Sequence, residues 1–277
     1  MKRAAVFFLI TTIIFINSPF SYAEQPAETE KPWERFALNL GGFITTLDTS
    51  FRFGTFIGLE VDLEKALGMD DSLSIFRADG LYRFGKTRRH RLDVSWTAYH
   101  RSGSKIIQQE IPIEPNPIPP GTGIETKFNY DIIQMKYSYS FFQDDRMDLG
   151  VGIGLYAMPI ETEIRDTSTG QQFVAEDFVA PLPVFNLRGD FAVSPKLFIK
   201  LNLDFFYIEY DKFTGGLTDA RLAVEYNIWK HFGIGLSYDT FDASLEAEEG
   251  TDYPGIDWVG KIELEHSGLL LYAKIYF

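Results

Sequence analysis

Asp239, Asp242, His100 and His266 are the residues of this chain whose types could carry out a reaction together. Paired acids beside an imidazole can activate water for hydrolysis if all lie within hydrogen-bond reach. The competing expectation is plainer: rim acids are solvated, and His266 is an ordinary residue at a strand kink. His266 and Ser267 cannot form a base–nucleophile pair, because neighbouring side chains on a strand point to opposite faces. His90 and His231 fall in short turns at the other end. No phosphate loop, zinc spacing or nucleophile elbow occurs. Cys is absent, so disulfides, thiolate nucleophiles and Cys-ligated metals are absent with it. The expectation is a non-enzymatic protein without catalytic, cofactor-binding or metal-binding residues.

A larger set of charges is spaced for pairing. Arg77, Asp79 and Arg83 share one face of segment 73–84, and Asp93 lies on segment 89–101. Gln134 and Lys136 lie on 127–142, Arg188 and Asp190 on 184–193, Lys200 and Asp204 on 196–207, and Asp219, Arg221 and Glu225 on 219–228. In each case every second residue is polar and those between are apolar, which is the period of a half-buried strand. In 147–157 the apolar Leu149, Val151, Ile153 and Leu155 oppose Gly150, Gly152 and Gly154. That face implies a wider interior or room for long neighbouring side chains.

Those strands must sit somewhere, and the N-terminus says where they are sent. Lys2 and Arg3 precede an uncharged apolar run, Ala4 through Ile16, and Ser21-Tyr22-Ala23 offers small residues at a cleavage site. This is a secretory signal, with cleavage expected after Ala23; the run is too short for a spanning helix. Its removal leaves 254 residues and lowers the formal charge from −13 to −15, a poor balance for contacting nucleic-acid phosphates. No later run of 18 apolar residues occurs, yet the chain holds 25 Phe and 14 Tyr at a mean hydropathy of −0.09. A barrel reconciles these facts, since only every second residue of each strand need be apolar.

The last segment carries a resemblance. Leu269, Leu271, Ala273, Ile275 and Phe277 share one face, with Lys274 on the other. This terminal Phe after alternating apolar residues resembles the C-terminal signature of Gram-negative outer-membrane β-barrel proteins. The resemblance implies an outer-membrane location, lipid and lipopolysaccharide as surroundings, and the barrel-assembly machinery as a partner in biogenesis. A secreted soluble β-barrel or sandwich is the competing fold.

The expected fold is therefore all-β, a closed antiparallel transmembrane barrel over 35–277, preceded by a signal peptide (1–23) and a periplasmic segment (24–34). Ten strands are favoured and twelve are the alternative. Ten requires parity shifts near Leu47-Asp48 and Ser267-Gly268; twelve places hairpins there instead. Short periplasmic turns near 85–90, 143–146, 194–196 and 229–231 are expected to alternate with long extracellular loops at 102–124, 161–177, 211–216 and 243–256. Residues 54–71 form a further loop, with a helical turn at 64–67. Phe84, Phe141, Phe142, Trp229 and Phe232 are expected in one aromatic girdle, and Tyr99, Tyr130, Tyr207, Tyr238 and Trp258 in the other.

An interior of ten strands lies near the closed end of the range, so the inward charges listed above are expected to form a packed ion-pair network. The functional expectation is a structural or surface-binding barrel, monomeric, acting through its loops. The alternative is a narrow channel or carrier for small solutes; a protease or a lipid A-modifying hydrolase ranks below both. The Pro-rich loop 111–121 is an exposed stiff segment or a recognition element, and the acidic stretch 246–252 a solvated run or a holder of divalent cations.

Overall fold

Segments in which apolar and polar residues alternate become the staves of one antiparallel barrel in a computed structural model that describes residues 32–53, 61–62, 67, 72–111, 117–247 and 260–277. In chain order they are β1 (Phe36–Phe53), the two-residue β2 (Val61–Asp62), β3 (Ser72–Phe84), β4 (His90–Ile106), β5 (Gly123–Gln143) and β6 (Met147–Asp166). They continue as β7 (Gln172–Ala192), β8 (Leu197–Tyr210), β9 (Phe213–Trp229), β10 (Phe232–Ala247) and β11 (Gly260–Tyr276). Each long strand pairs with its sequence neighbour, and β11 returns to β1 to close a ten-stranded barrel, with β2 appended to β1. The Phe277 carbonyl accepts hydrogen bonds from the Arg35 and Phe36 amides at 2.7 and 3.0 Å, so the chain terminus is part of the closure.

Neither parity shift exists. β1 and β11 pair without interruption from Ala37↔Tyr276 to Phe53↔Gly260, which also excludes the hairpins of a twelve-stranded barrel. Ile262 and Leu264 lie on the same face as Tyr272 and Lys274, and all four are buried. The sequence looked shifted because the strand changes surroundings rather than facing.

That change recurs round the barrel. At the end bearing the short turns and both strand termini (the lower end), apolar side chains point out and polar ones in. On β5 the outward side is Phe141, Tyr139, Tyr137, Met135 and Ile133, while Ser140, Ser138, Lys136 and Gln134 point in and are buried. Higher on the same strand, Asp131, Asn129, Lys127 and Glu125 point out, whereas Ile132, Tyr130, Phe128 and Ile124 are buried inside. β6 switches in the same way between Pro159 and Glu161 outside and between Gly154 and Tyr156 inside, and β10 between Tyr238 and Thr240 outside and between Asp239 and Phe241 inside. The lower half thus has an apolar exterior around a polar lumen, as a lipid-embedded barrel requires. The upper half has a polar exterior around an apolar core, as in a water-soluble sandwich.

Two of the expected long loops are mostly strand: β6 and β7 run on to Asp166 and Gln172, and β8 and β9 to Tyr210 and Phe213. Around Asp166 the chain reverses tightly, with the carboxylate accepting from the amides of Ser168 and Thr169 at 2.6 and 2.8 Å and Gly170 at φ 72°. In the upper half the wall also parts at two seams. β3–β4 pairing ends at Arg77↔Thr97 and β7–β8 pairing at Phe185↔Phe205. Above these points β4–β5–β6–β7 forms one sheet and β8–β9–β10–β11–β1–β3 another, with the apolar core inside. The β4–β5 connection covers part of that core: Ile111 and Ile118 pair with each other, and both are buried with Ile107. Leu67, from the connection between β1 and β3, is buried there too.

Candidate functional site

All twelve charges singled out in the sequence point into the lower lumen, where they form linked clusters. Arg77 and Arg221 each contact both Asp79 and Asp239, at 2.9 and 3.3 Å and at 3.3 and 2.8 Å respectively. Below them Arg83 pairs with Asp148 and, at 2.6 Å, with Asp190; Arg91 joins Asp190 to Asp93 at 2.9 and 2.7 Å; Arg188 reaches Asp148 at 3.1 Å. Lys136 holds Asp204 at 2.5 Å. Asp204 and Asp219 face each other across β8 and β9, and the Tyr156 hydroxyl lies 2.6 and 2.9 Å from their carboxylates.

The glycines of β6 make room for this network. A Cβ built on Gly150 would meet the Arg188 guanidinium at 2.7 Å. That guanidinium is held by Ser138 and Ser140 at 2.8 and 2.6 Å. Of the two sequence expectations for the glycine face, the long neighbouring side chain is what occupies it.

In the lowest cluster Lys200 and Glu225 were legible in the sequence, whereas Glu34, which precedes the first strand, was not. Glu34 receives Lys200 at 2.8 Å and Lys274 at 3.2 Å, and the same two ammoniums bind Glu225 at 2.9 and 2.6 Å. Burial alone would raise the Glu34 carboxyl, but Lys200 and Lys274 outweigh it and hold the group well below its ordinary 4.5. Trp33, 1 % exposed, packs edge-on against Phe198 and donates its indole N–H to the Asp144 carbonyl at 2.8 Å. Two residues of the segment expected to lie in the periplasm therefore stop the lower mouth. Arg91 shares the polar face of β4 with Asp93, and Asp148 that of β6 with the three glycines, so alternation alone could have found both. Lys274, already read as lying opposite the apolar face of the last strand, proves to belong to this cluster.

The candidates for hydrolysis are not brought together. Asp239 points inward onto two arginines, while Asp242 and His100 are on the outer face. His266 is buried beside Tyr99, its Nε2 2.8 Å from the Tyr99 hydroxyl, with its ring stacked on Phe241. Tyr99 and Tyr130 stack on one another inside the barrel with centroids 4.5 Å apart, so they do not belong to the outer girdle. Tyr207 and Tyr238 are exposed, as are Phe141, Phe142 and Trp229 at the lower end. The expected signal peptide, residues 54–60, positions 64–66 of the expected helical turn, Trp258 and positions 248–252 of the acidic stretch fall outside the described residues.

Between the ion pairs the lumen keeps a cavity of about 80 Å³, lined among others by Asn39, Ser95, Asp219 and Arg221. Asn39 Oδ1, Ser95 Oγ and Arg221 Nη2 are buried without a protein partner. A space of that size and polarity suits a few bound waters.

Comparison with known proteins bears on the fold. The architecture is that of outer-membrane β-barrels. The outer-membrane protease OmpT from Escherichia coli superposes with a TM-score of 0.51 at 9 % identity, over 87 % of this chain and 97 % of that one. Ail, the attachment invasion locus protein of Yersinia pestis, gives 0.35 at 8 % identity over 88 % and 99 %. The Ralstonia pickettii toluene transporter TbuX gives 0.35 at 9 % over 88 % and 90 %. No protein-family profile matches the chain, and no curated protein matches it.

Proposed function

We propose that this is a monomeric integral outer-membrane protein whose barrel is sealed along its axis and carries a β-sandwich above the outer leaflet. Its role is structural or surface-binding, through the projecting half. The observation that carries this reading is the inversion of polarity across the wall at mid-height. Lipid and lipopolysaccharide suit the lower exterior, water suits the upper exterior, and the barrel-assembly machinery would read the C-terminal strand.

A sealed axis is supported by three stacked obstructions: Trp33 and Glu34 at the lower mouth, the ion-paired lumen, and the apolar core above it. A non-enzymatic role is supported by the scattering of Asp239, Asp242, His100 and His266. Planar-bilayer recording of the refolded chain tests this against the channel alternative. Stable unitary conductance steps would overturn the sealed reading. Mobility on gels that does not change on boiling would remove the barrel from the membrane.

A further inference from the structure

The β7–β8 seam is written into the sequence. The Ala192 amide donates to the Arg146 carbonyl on the β6 side at 2.8 Å, and the Val193 amide to the Leu197 carbonyl on the β8 side at 2.9 Å. Backbone groups alternate sides along a strand, so odd-numbered β7 residues face β8. Continued upward from Phe185↔Phe205, the register would set Pro183 against Tyr207 and Pro181 against Glu209. Proline has no N–H to give at either position. The ladder stops there, and among the described residues no other strand takes its place.

Around the seam the wall is apolar on both faces. Residues 179–185 read Val-Ala-Pro-Leu-Pro-Val-Phe, and 155–160 of β6 and 205–208 of β8, on either side, also carry apolar residues both inward and outward. Ala180, Leu182 and Val184 are buried in the core, whereas Val179 and Phe185 are 51 % and 60 % exposed. Across the gap, Phe206 and Ile208 pack on the same core. The outward apolar surface of β7 continues without a break from Leu187 up to Val179. The seam therefore joins the lipid-facing band outside to the apolar core inside with no charged side chain on the β7 side.

We propose that the β7–β8 seam is a lateral opening through which a hydrocarbon chain of the surrounding outer leaflet reaches the apolar core of the upper half. The inference rests on the membrane placement proposed above. Two features favour a hydrocarbon chain over an added β-strand: both faces of the wall are apolar, and the prolines withhold the donors a docking strand would need.

Because the chain lacks Cys, a single introduced thiol can be labelled specifically. Leu182→Cys, Leu187→Cys and Ile164→Cys, each carrying a small fluorophore, are refolded into phosphatidylcholine vesicles with brominated acyl chains. Leu187 faces the band, and Ile164 faces the core away from the seam. The expected result is quenching at Leu182 comparable to that at Leu187, little quenching at Ile164, and loss of the Leu182 signal when Pro181→Thr and Pro183→Thr restore the donors. Quenching at Leu187 with none at Leu182 overturns the opening; no quenching at Leu187 overturns the membrane placement instead. Should a Leu182→Cys chain not refold, a photoreactive fatty acid is cross-linked to the unaltered protein. Adducts on Ala180, Leu182 or Ile208 support the opening, and adducts confined to outward residues such as Leu201 and Leu222 refute it.

Discussion

Replacing Glu34 by Gln tests whether the segment before the first strand belongs to the barrel. Glu34 is 7 % exposed and lies between Lys200 and Lys274 at 2.8 and 3.2 Å. Removing one partner of a buried ion pair typically costs about 3–5 kcal/mol when the other charge is left alone. Here both ammoniums keep Glu225, at 2.9 and 2.6 Å, so the smaller figure of about 2 kcal/mol is expected. With a urea dependence of about 2 kcal/mol per molar, the midpoint should fall by about 1 M. The assay is urea unfolding of refolded protein, followed by gel mobility and tryptophan fluorescence. The dependence on pH supplies a second check. The folded-state Glu34 carboxyl sits below its ordinary 4.5, so its contribution is fully present above that value and is lost as pH falls toward the lower folded value. The gap between native and Glu34→Gln protein should be constant near neutrality and should close below pH 4.5. Equal midpoints at pH 7, or a gap that widens in acid, would refute the plug.

Three further outcomes follow from the same geometry. Leu236 and Thr240 both point outward on β10, but on either side of the polarity switch; Leu236→Arg should cost about 2–4 kcal/mol in lipid and Thr240→Arg no more than about 1 kcal/mol, measured by unfolding in vesicles. Gly235 lies under the Tyr272 ring, whose hydroxyl donates to Glu225 at 2.9 Å; Gly235→Ala should lower stability by about 1–3 kcal/mol through overpacking, and an unchanged urea midpoint would count against that contact. The Phe277 side chain is 62 % exposed and its backbone makes the closing hydrogen bonds; Phe277→Ala should refold normally in detergent yet assemble poorly in cells, as read by heat-modifiable mobility in membrane fractions.

Alternation, the terminal Phe and the short turns were enough to read ten strands and the inward set from Arg77 to Glu225. They were enough because each inference is local: a period of 2 and a charge on one face need no knowledge of the partner strand. The plug was not legible for the opposite reason. Trp33 and Glu34 follow no period, and their partners Asp144, Lys200, Lys274 and Phe198 lie more than a hundred residues away. Tyr99 was placed in a girdle because an aromatic near a strand end usually faces an interface; its hydrogen bond to His266 and its stacking on Tyr130 depend on β4, β5 and β11 meeting above the band.

The mistaken parity shifts show what alternation can and cannot decide. In Ile262, Leu264, Leu269 and Leu271 the apolar residues pass from even to odd positions, and a bulge is the economical explanation if the apolar face must always be the lipid face. The uninterrupted register from Ala37↔Tyr276 to Phe53↔Gly260 removes that premise. A strand that leaves the bilayer and enters water must exchange its apolar and polar faces if the space inside is to be filled without water, since the core is then the only apolar medium available. The exchange reads in the sequence as a one-residue slip. Two such slips at matching heights, near Leu47 on β1 and near Ser267 on β11, are therefore more economically read as a common waterline than as two independent bulges. On β7 the run 179–185 is apolar on both faces at that line. There Pro181 and Pro183 withhold the donors that would continue the ladder to β8, so that this one of the two seams opens between apolar surfaces.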